Sequence, residues 1–388
     1  MNTFPGLVLL AWIACAPGEP TKFERVVIDA AFPDAYQVEV ADINGDKKPD
    51  IVALGGSTCA WYENPTWKKR IITGPDQAPG VISSAAADLD GDGKAEVAIA
   101  YDFEMNQPKR GKLLLARQGA SPDDAWTLTE VAQIGSIHRV RWGDVDGDGT
   151  LDLVVAPIFG PDAKPPLYEG NARIVAFLRD KSDNMNPATW RQATLAERPI
   201  VHAIEVKANS DRRAASVVTA DNLGVGLVWG SLFDGPGYVI PLAPGAVGAA
   251  PARGSSEVHI GRFSKNHLFI ATIEPWHGDQ VVVWPHDPAK TGTFHPRTVI
   301  DDTLDAGHAL WVTDIDADGT DEIFAGHRGK DHRVSMYQYD GKSWNRTVID
   351  REIAAQDLRG GDIDGDGAPD IVAVGGATHN VVWYHPIR

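Results

Sequence analysis

Short apolar runs rich in Val, Ile and Ala recur along the chain, among them Ile51-Val52-Ala53-Leu54, Val97-Ala98-Ile99-Ala100 and Leu153-Val154-Val155-Ala156. They are too short for helices, carry β-branched residues and are fenced by Asp, Gly and Pro, so they read as buried strands. Five of them follow one repeated pattern: DINGDKKPDIVAL from Asp42, DLDGDGKAEVAIA from Asp88, DVDGDGTLDLVVA from Asp144, DIDADGTDEIFAG from Asp314 and DIDGDGAPDIVAV from Asp362. Two degenerate copies lie between the third and the fourth. In HAIEVKANSDRRAASVVTADN, Ala208 takes the place of the first Asp; in EVHIGRFSKNHLFIATIEPWHG, Phe263 does. From each first position to the next the spacing is 46, 56, 64, 55, 51 and 48 residues, which makes seven units of about four strands each.

Seven such units predict an all-β fold, a seven-bladed β-propeller over residues 21–388. Outer strands are expected at TWKKRIIT (66–73), HPRTVIDD (295–302) and NRTVIDR (345–351), whereas the last unit stops at VVWYHPIR without one. The early strand KFERVVIDA (22–30) is therefore expected to complete the seventh blade and remove the open sheet edge.

Each repeated loop joins the first and second strands of its blade and places oxygen side chains at relative positions 1, 3, 5 and 9. Four of the five have Gly at position 6. Alternating hard oxygen ligands around a sharp turn suit Ca²⁺. An EF-hand is excluded, because its bidentate Glu would fall at position 12 and its flanks would be helices. Up to five structural Ca²⁺ ions are thus expected, on Asp42, Asn44, Asp46 and Asp50; Asp88, Asp90, Asp92 and Glu96; Asp144, Asp146, Asp148 and Asp152; Asp314, Asp316, Asp318 and Glu322; and Asp362, Asp364, Asp366 and Asp370. The first loop, with Asn44 and with Lys47 at the glycine position, should bind most weakly. Asp-rich turns held by hydrogen bonds alone are the alternative.

The formal charge of −17 argues against nucleic-acid partners, which need clustered basic residues. Much of the acidity belongs to the loops. Residues 1–20 contain the apolar run Leu7–Ala14 and read as an export signal, placing the protein in the periplasm or outside the cell, with Cys15 a candidate for lipid anchoring. A ragged apolar N-terminus is the alternative. Only Cys15 and Cys59 occur, so no disulfide framework is expected, and no segment reaches transmembrane length.

Six residues before each first Asp, near the start of the innermost strand, stand Tyr36, Ile82, His138, His202, Glu257, His308 and Gln356. Three His and a Glu fall in four consecutive blades and converge on the channel. Such a set suits one transition ion, zinc first, on His138, His202, Glu257 and His308. A ring of histidines satisfied by one another and by water is the plainer alternative. Loops returning to the same face carry Glu274, Trp276 and His277, then His327 and Arg328, then His379. Trp276 is a candidate sugar-stacking ring. No nucleophile elbow, P-loop or dinucleotide fingerprint is present.

The Asp loops resemble the FG-GAP or VCBS repeats of integrin-like propellers. The segments HRVRWGDVDGDG (138–149), VVAPIFGP (154–161), SSEVHIGRF (255–263), ATIEPWHGDQVVVW (271–284), GHALWVTDIDADGTDEIFAGHRG (307–329) and GGATHNVVWY (375–384) are similar to the propeller domain of the aldos-2-ulose dehydratases. That resemblance implies a metal-dependent carbon–oxygen lyase that eliminates water or an alcohol next to the carbonyl of a keto-sugar, such as 1,5-anhydrofructose, an aldos-2-ulose or a keto-glycoside, small or oligosaccharide. On that reading His277, with Glu274 near it, is the base; Tyr36 and His327 protonate the leaving group; Glu257 is a metal ligand or a base; and Trp276, Arg328, Gln356 and His379 contact substrate. The other reading is a non-catalytic, calcium-stabilised propeller that binds carbohydrate or protein at the cell surface.

Overall fold

The computed structural model describes residues 21–180, 182, 185–209, 214–229, 237–287 and 294–387. The expected signal segment and Cys15 lie outside them. Seven four-stranded antiparallel sheets follow one another around a ring. Blades one to six begin with innermost strands Ala35–Ala41, Ser83–Ala87, Ile137–Gly143, Ala203–Lys207, Glu257–Ser264 and Gly307–Thr313, and each runs outward through three further consecutive strands. In blade seven the strands Ala355–Gly361, Asp370–Gly375 and Asn380–Ile387 are followed by Lys22–Asp29, which pairs antiparallel with Asn380–Ile387 from Lys22↔Ile387 to Asp29↔Val381.

The burial pattern explains the order of strands. Second strands such as Asp50–Gly55, Asp152–Pro157 and Asp370–Gly375 are buried at every position, because both their faces are covered by neighbouring blades. Outer strands such as Lys68–Thr73 and Thr127–Gln133 are largely exposed or half-buried and carry charged residues, among them Lys68, Lys69, Arg70 and Glu130. Of eight apolar clusters among the described residues, seven lie one between each pair of adjacent blades, including blades seven and one, where Phe32, Val38 and Tyr62 meet Ile363, Val372 and Val381, and the eighth gathers Ile158, Phe159, Ala163 and Ile200. Cys59 is fully buried in the cluster between blades one and two, and burial pushes its thiol well up.

The five Asp loops share one internal geometry. The position-9 carboxylate accepts the backbone N–H of position 2: Ile43 to Asp50, Leu89 to Glu96, Val145 to Asp152, Ile315 to Glu322 and Ile363 to Asp370, all at 2.9–3.0 Å. The first Asp accepts the N–H of position 6 at 2.8–3.0 Å. Position 6 is left-handed in every loop, with φ of 88–91° at Gly93, Gly149, Gly319 and Gly367 and 70° at Lys47, which accounts for the glycine.

Candidate functional site

The innermost strands start at the face opposite the Asp loops, so their first side chains ring the channel mouth. There the structure brings Tyr36, His138, His202 and His308 together with His277 from the loop after the second strand of blade five. The His202 ring lies 4.7 Å from His138, 4.8 Å from His277 and 5.0 Å from His308, centre to centre.

Backbone carbonyls fix the tautomers. His138 Nδ1 lies 2.9 Å from the His202 carbonyl, His202 Nδ1 2.9 Å from the Ser256 carbonyl, and His308 Nδ1 2.6 Å from the Gln356 carbonyl. A carbonyl only accepts, so each of these Nδ1 atoms carries the proton and each Nε2 presents a lone pair. His277 is set the other way. Its Nδ1 faces Arg328 Nη2 at 3.3 Å, and a guanidinium only donates, so its proton sits on Nε2 and points at His202 Nε2, 2.9 Å away. The Tyr36 hydroxyl reaches His138 Nε2 at 2.8 Å and lies 3.3 Å from His308 Nε2. The three lone pairs thus face the protons of Tyr36 and His277 and an N–H of Arg139, whose Nη1 lies 3.3 Å from His138 Nε2.

Burial, the largest cause in each case, holds all four histidines below their ordinary range and favours their neutral form; Arg139, Arg328 and the neighbouring rings add to it, while at His202 Glu257 opposes it. Burial raises Tyr36, opposed by Arg139 and Arg328. A neutral, convergent imidazole set fits a transition cation. The nitrogens that lie closest together belong to His202, His277 and His308, all within 4.8 Å of one another. His138 has the favourable tautomer, whereas His277 has the unfavourable one.

Several sequence expectations need correction. Glu257 lies 3.0 Å from His202 Nδ1, behind the ring and away from the lone pair, and pairs with Arg139 at 3.2 Å. Burial opposes its ionisation, but Arg139 and His202 outweigh that and lower its pKa. In this arrangement its carboxylate holds the His202 ring and Arg139 and does not face the Nε2 atoms. Glu274 is remote from His277: its fully buried carboxylate accepts from Thr272 at 2.7 Å, from Trp284 at 2.9 Å and from Arg297 at 2.8 Å. His327 is also fully buried, held by Arg333 at 3.0 Å and by the Asp305 backbone. His379 is exposed and accepts the Asp34 N–H at 3.2 Å. Trp276 packs edge-on against Phe159 and Tyr168, whose rings stack 4.2 Å apart. Gln356 is where it was expected, accepting from Arg328 Nη1 at 2.9 Å.

Arg139 is the main omission. It spans Glu257 and the Tyr36 ring, 5.7 Å from the ring centre. Deeper in the channel is a second charged ring, with Glu39 near Arg141 and Arg359, Asp357 bonded to Arg359, and Glu205 facing His259. The same column logic, applied three residues before each first Asp, would have found Glu39, Arg141, Glu205 and Arg359.

The loop acids fit a hard cation. Asp314 Oδ1 and Asp362 Oδ1 are buried without a hydrogen-bond partner. Burial and then neighbouring loop acids push Glu322 up to about 9. Asp50 and Glu96 rise to about 7 and Asp152 to about 6, chiefly through burial.

Comparison with known proteins agrees with this geometry. The family model "FG-GAP-like repeat" matches residues 42–99 and 314–373, and "Aldos-2-ulose dehydratase, beta-propeller domain" matches residues 112–287. The chain carries FG-GAP-like repeats on a seven-bladed propeller and is similar over residues 112–287 to the propeller domain of aldos-2-ulose dehydratase. The aldos-2-ulose dehydratase of Phanerodontia chrysosporium is 22% identical over 390 residues, covering 87% of this chain and 41% of the relative. The chain therefore spans less than half the length of that protein. Two solved structures share the fold. One is an Agrocybe aegerita lectin with specific recognition of non-reducing terminal N-acetylglucosamine, at TM-score 0.52 and 14% identity, covering 89% of this chain and 86% of that one. The other is a chain of a mitotic checkpoint complex, at TM-score 0.55 and 12% identity, covering 98% and 100%. Among the described residues no helix is long and apolar enough to cross a membrane.

Proposed function

We propose that the protein is a metal-dependent carbohydrate lyase that eliminates water or an alcohol next to the carbonyl of a keto-sugar, and that it acts after export. The observation that carries this reading is a buried cluster in which the Nε2 atoms of His138 and His308 face the Tyr36 hydroxyl and that of His202 faces His277, beside Arg328. The similarity to aldos-2-ulose dehydratase supports it. A divalent ion on these nitrogens, zinc first, would supply Lewis-acid polarisation of the keto oxygen and make nearby groups more acidic.

The proton carriers follow from the hydrogen bonds. His277 carries its proton on Nε2 and keeps Nδ1 against Arg328, so it is the donor to the leaving oxygen; this reverses the base role expected from sequence. Tyr36, whose ionisation burial opposes and Arg139 and Arg328 favour, is the acceptor of the α-proton once its own proton has been released to water. The α C–H bond breaks toward the Tyr36 phenolate, which passes that proton to the β oxygen as the β C–O bond breaks with the His277 Nε2–H hydrogen-bonded to it, leaving an enone and water or alcohol. Glu257 and Arg139 hold the His202 ring in place. The Asp loops, at the other end of the innermost strands, hold structural Ca²⁺.

The test is to load the protein with zinc, offer 1,5-anhydrofructose and a keto-glycoside, and follow enone absorbance beside the metal content of wild type and His308→Ala. Enone formation with about one zinc per chain, both lost in the variant while calcium and fold stay, is the expected result. Calcium alone, with no product, would leave a calcium-stabilised sugar- or protein-binding propeller as the account.

A further inference from the structure

Three of the buried arginines come with carboxylates. Arg139 pairs with Glu257, Arg359 with Asp357, and Arg333 lies 3.6 Å from Asp301. Arg328 does not. It is half-buried, its two described side-chain contacts are the neutral Gln356 amide at 2.9 Å and the His277 ring at 3.3 Å, and no carboxylate lies within ion-pair distance among the described residues. The local charge balance is therefore open. Glu257, the carboxylate whose charge reaches Arg328, is already paired with Arg139 at 3.2 Å.

A guanidinium withdrawn from water without a counter-charge is costly, and its planar fork matches a carboxylate in two-point contact. Its position matters as well. His277 stands between Arg328 and the convergent lone pairs, so Arg328 is one imidazole width from the point where a keto oxygen would sit. That separation suits a second group on the same ligand.

Resting on the keto-sugar reading of the site, we propose that the substrate is an acidic sugar, a uronate-type keto-sugar whose carboxylate is received by Arg328. Gln356 fixes one arm of the guanidinium, and the remaining N–H groups face the ligand. Neutral sugars of the same shape leave this charge unanswered and bind more weakly.

The test is calorimetric binding to the zinc-loaded full chain, with methyl β-D-glucuronide and methyl β-D-glucoside as probes. Wild type is expected to prefer the glucuronide at least tenfold, Arg328→Gln to bring the ratio to about one, and Arg328→Lys to keep part of it. Metal content and melting temperature check that the variants are folded. A wild-type ratio near one, no binding of either probe, or a preference that survives Arg328→Gln would each overturn the proposal. Because the readout needs no turnover, failure of the lyase reading would appear separately, as absent enone with the glucuronide preference intact.

Discussion

Arg328 presents Nη2 to His277 Nδ1 at 3.3 Å, and that contact determines which ring nitrogen carries the proton. The result is a histidine that donates in a cluster where its three neighbours accept. Protons from His277, Tyr36 and Arg139 face the three lone pairs, and a cation bound there would take the place of these donors.

Tyr36→Phe removes the proton acceptor while leaving every imidazole in place. We expect kcat on a keto-sugar to fall by about 100-fold or more, with KM and zinc content little changed. Steady-state kinetics beside elemental analysis would check this. Loss of zinc in parallel with activity would make the hydroxyl a structural support for the site.

The loop acids predict a pH response that calcium controls. Asp50 and Glu96 have ordinary values of 3.8 and 4.5 and rise to about 7 in the fold, chiefly through burial. The folded chain therefore binds more protons than the unfolded one between about 4 and 7, and its stability falls as pH rises through that window. Chelated protein should melt at progressively lower temperature from pH 4.5 to 7.5, and calcium should flatten the trend. Scanning calorimetry with and without chelator measures both, and parallel curves would count against calcium in the loops.

Lys47 adopts φ of 70° where the other four loops place glycine. Lys47→Gly should stabilise the protein by about 1 kcal/mol by relieving the left-handed conformation. The gain would appear as a higher denaturant midpoint at constant m-value.

Glu274→Ala should act on stability. The carboxylate is fully buried against Arg297, Trp284 and Thr272, and its loss leaves those donors unanswered at a cost of about 3 kcal/mol. Activity per folded molecule at low temperature should stay near wild type, whereas a direct role in the chemistry would abolish it at any temperature.

The repeats carried the fold, because each Asp loop marks the end of an innermost strand and so numbers the blades. The same count gave the inner column of Tyr36, His138, His202, His308 and Gln356. It failed one step further out. His327 ends the second strand of blade six and is fully buried beside Arg333, while Arg328, the next residue, turns to the channel. Side chains alternate in direction along an extended strand, so neighbours in sequence stand in different surroundings. Glu274 and His277 differ in the same way across the end of the second strand of blade five. Arg139 was passed over because its role depends on reaching blade five from blade three, which no local pattern records.

The pairing of Lys22–Asp29 with Asn380–Ile387 has a mechanical consequence. Lys22 stands opposite Ile387, so both outer ends of this strand pair lie at the same end of the ladder. Tension applied between them would load the hydrogen bonds one rung at a time, opening the pair like a zip instead of shearing all rungs together. The ring is thus weakest toward a pull on its own ends and most resistant to forces that press the blades against one another.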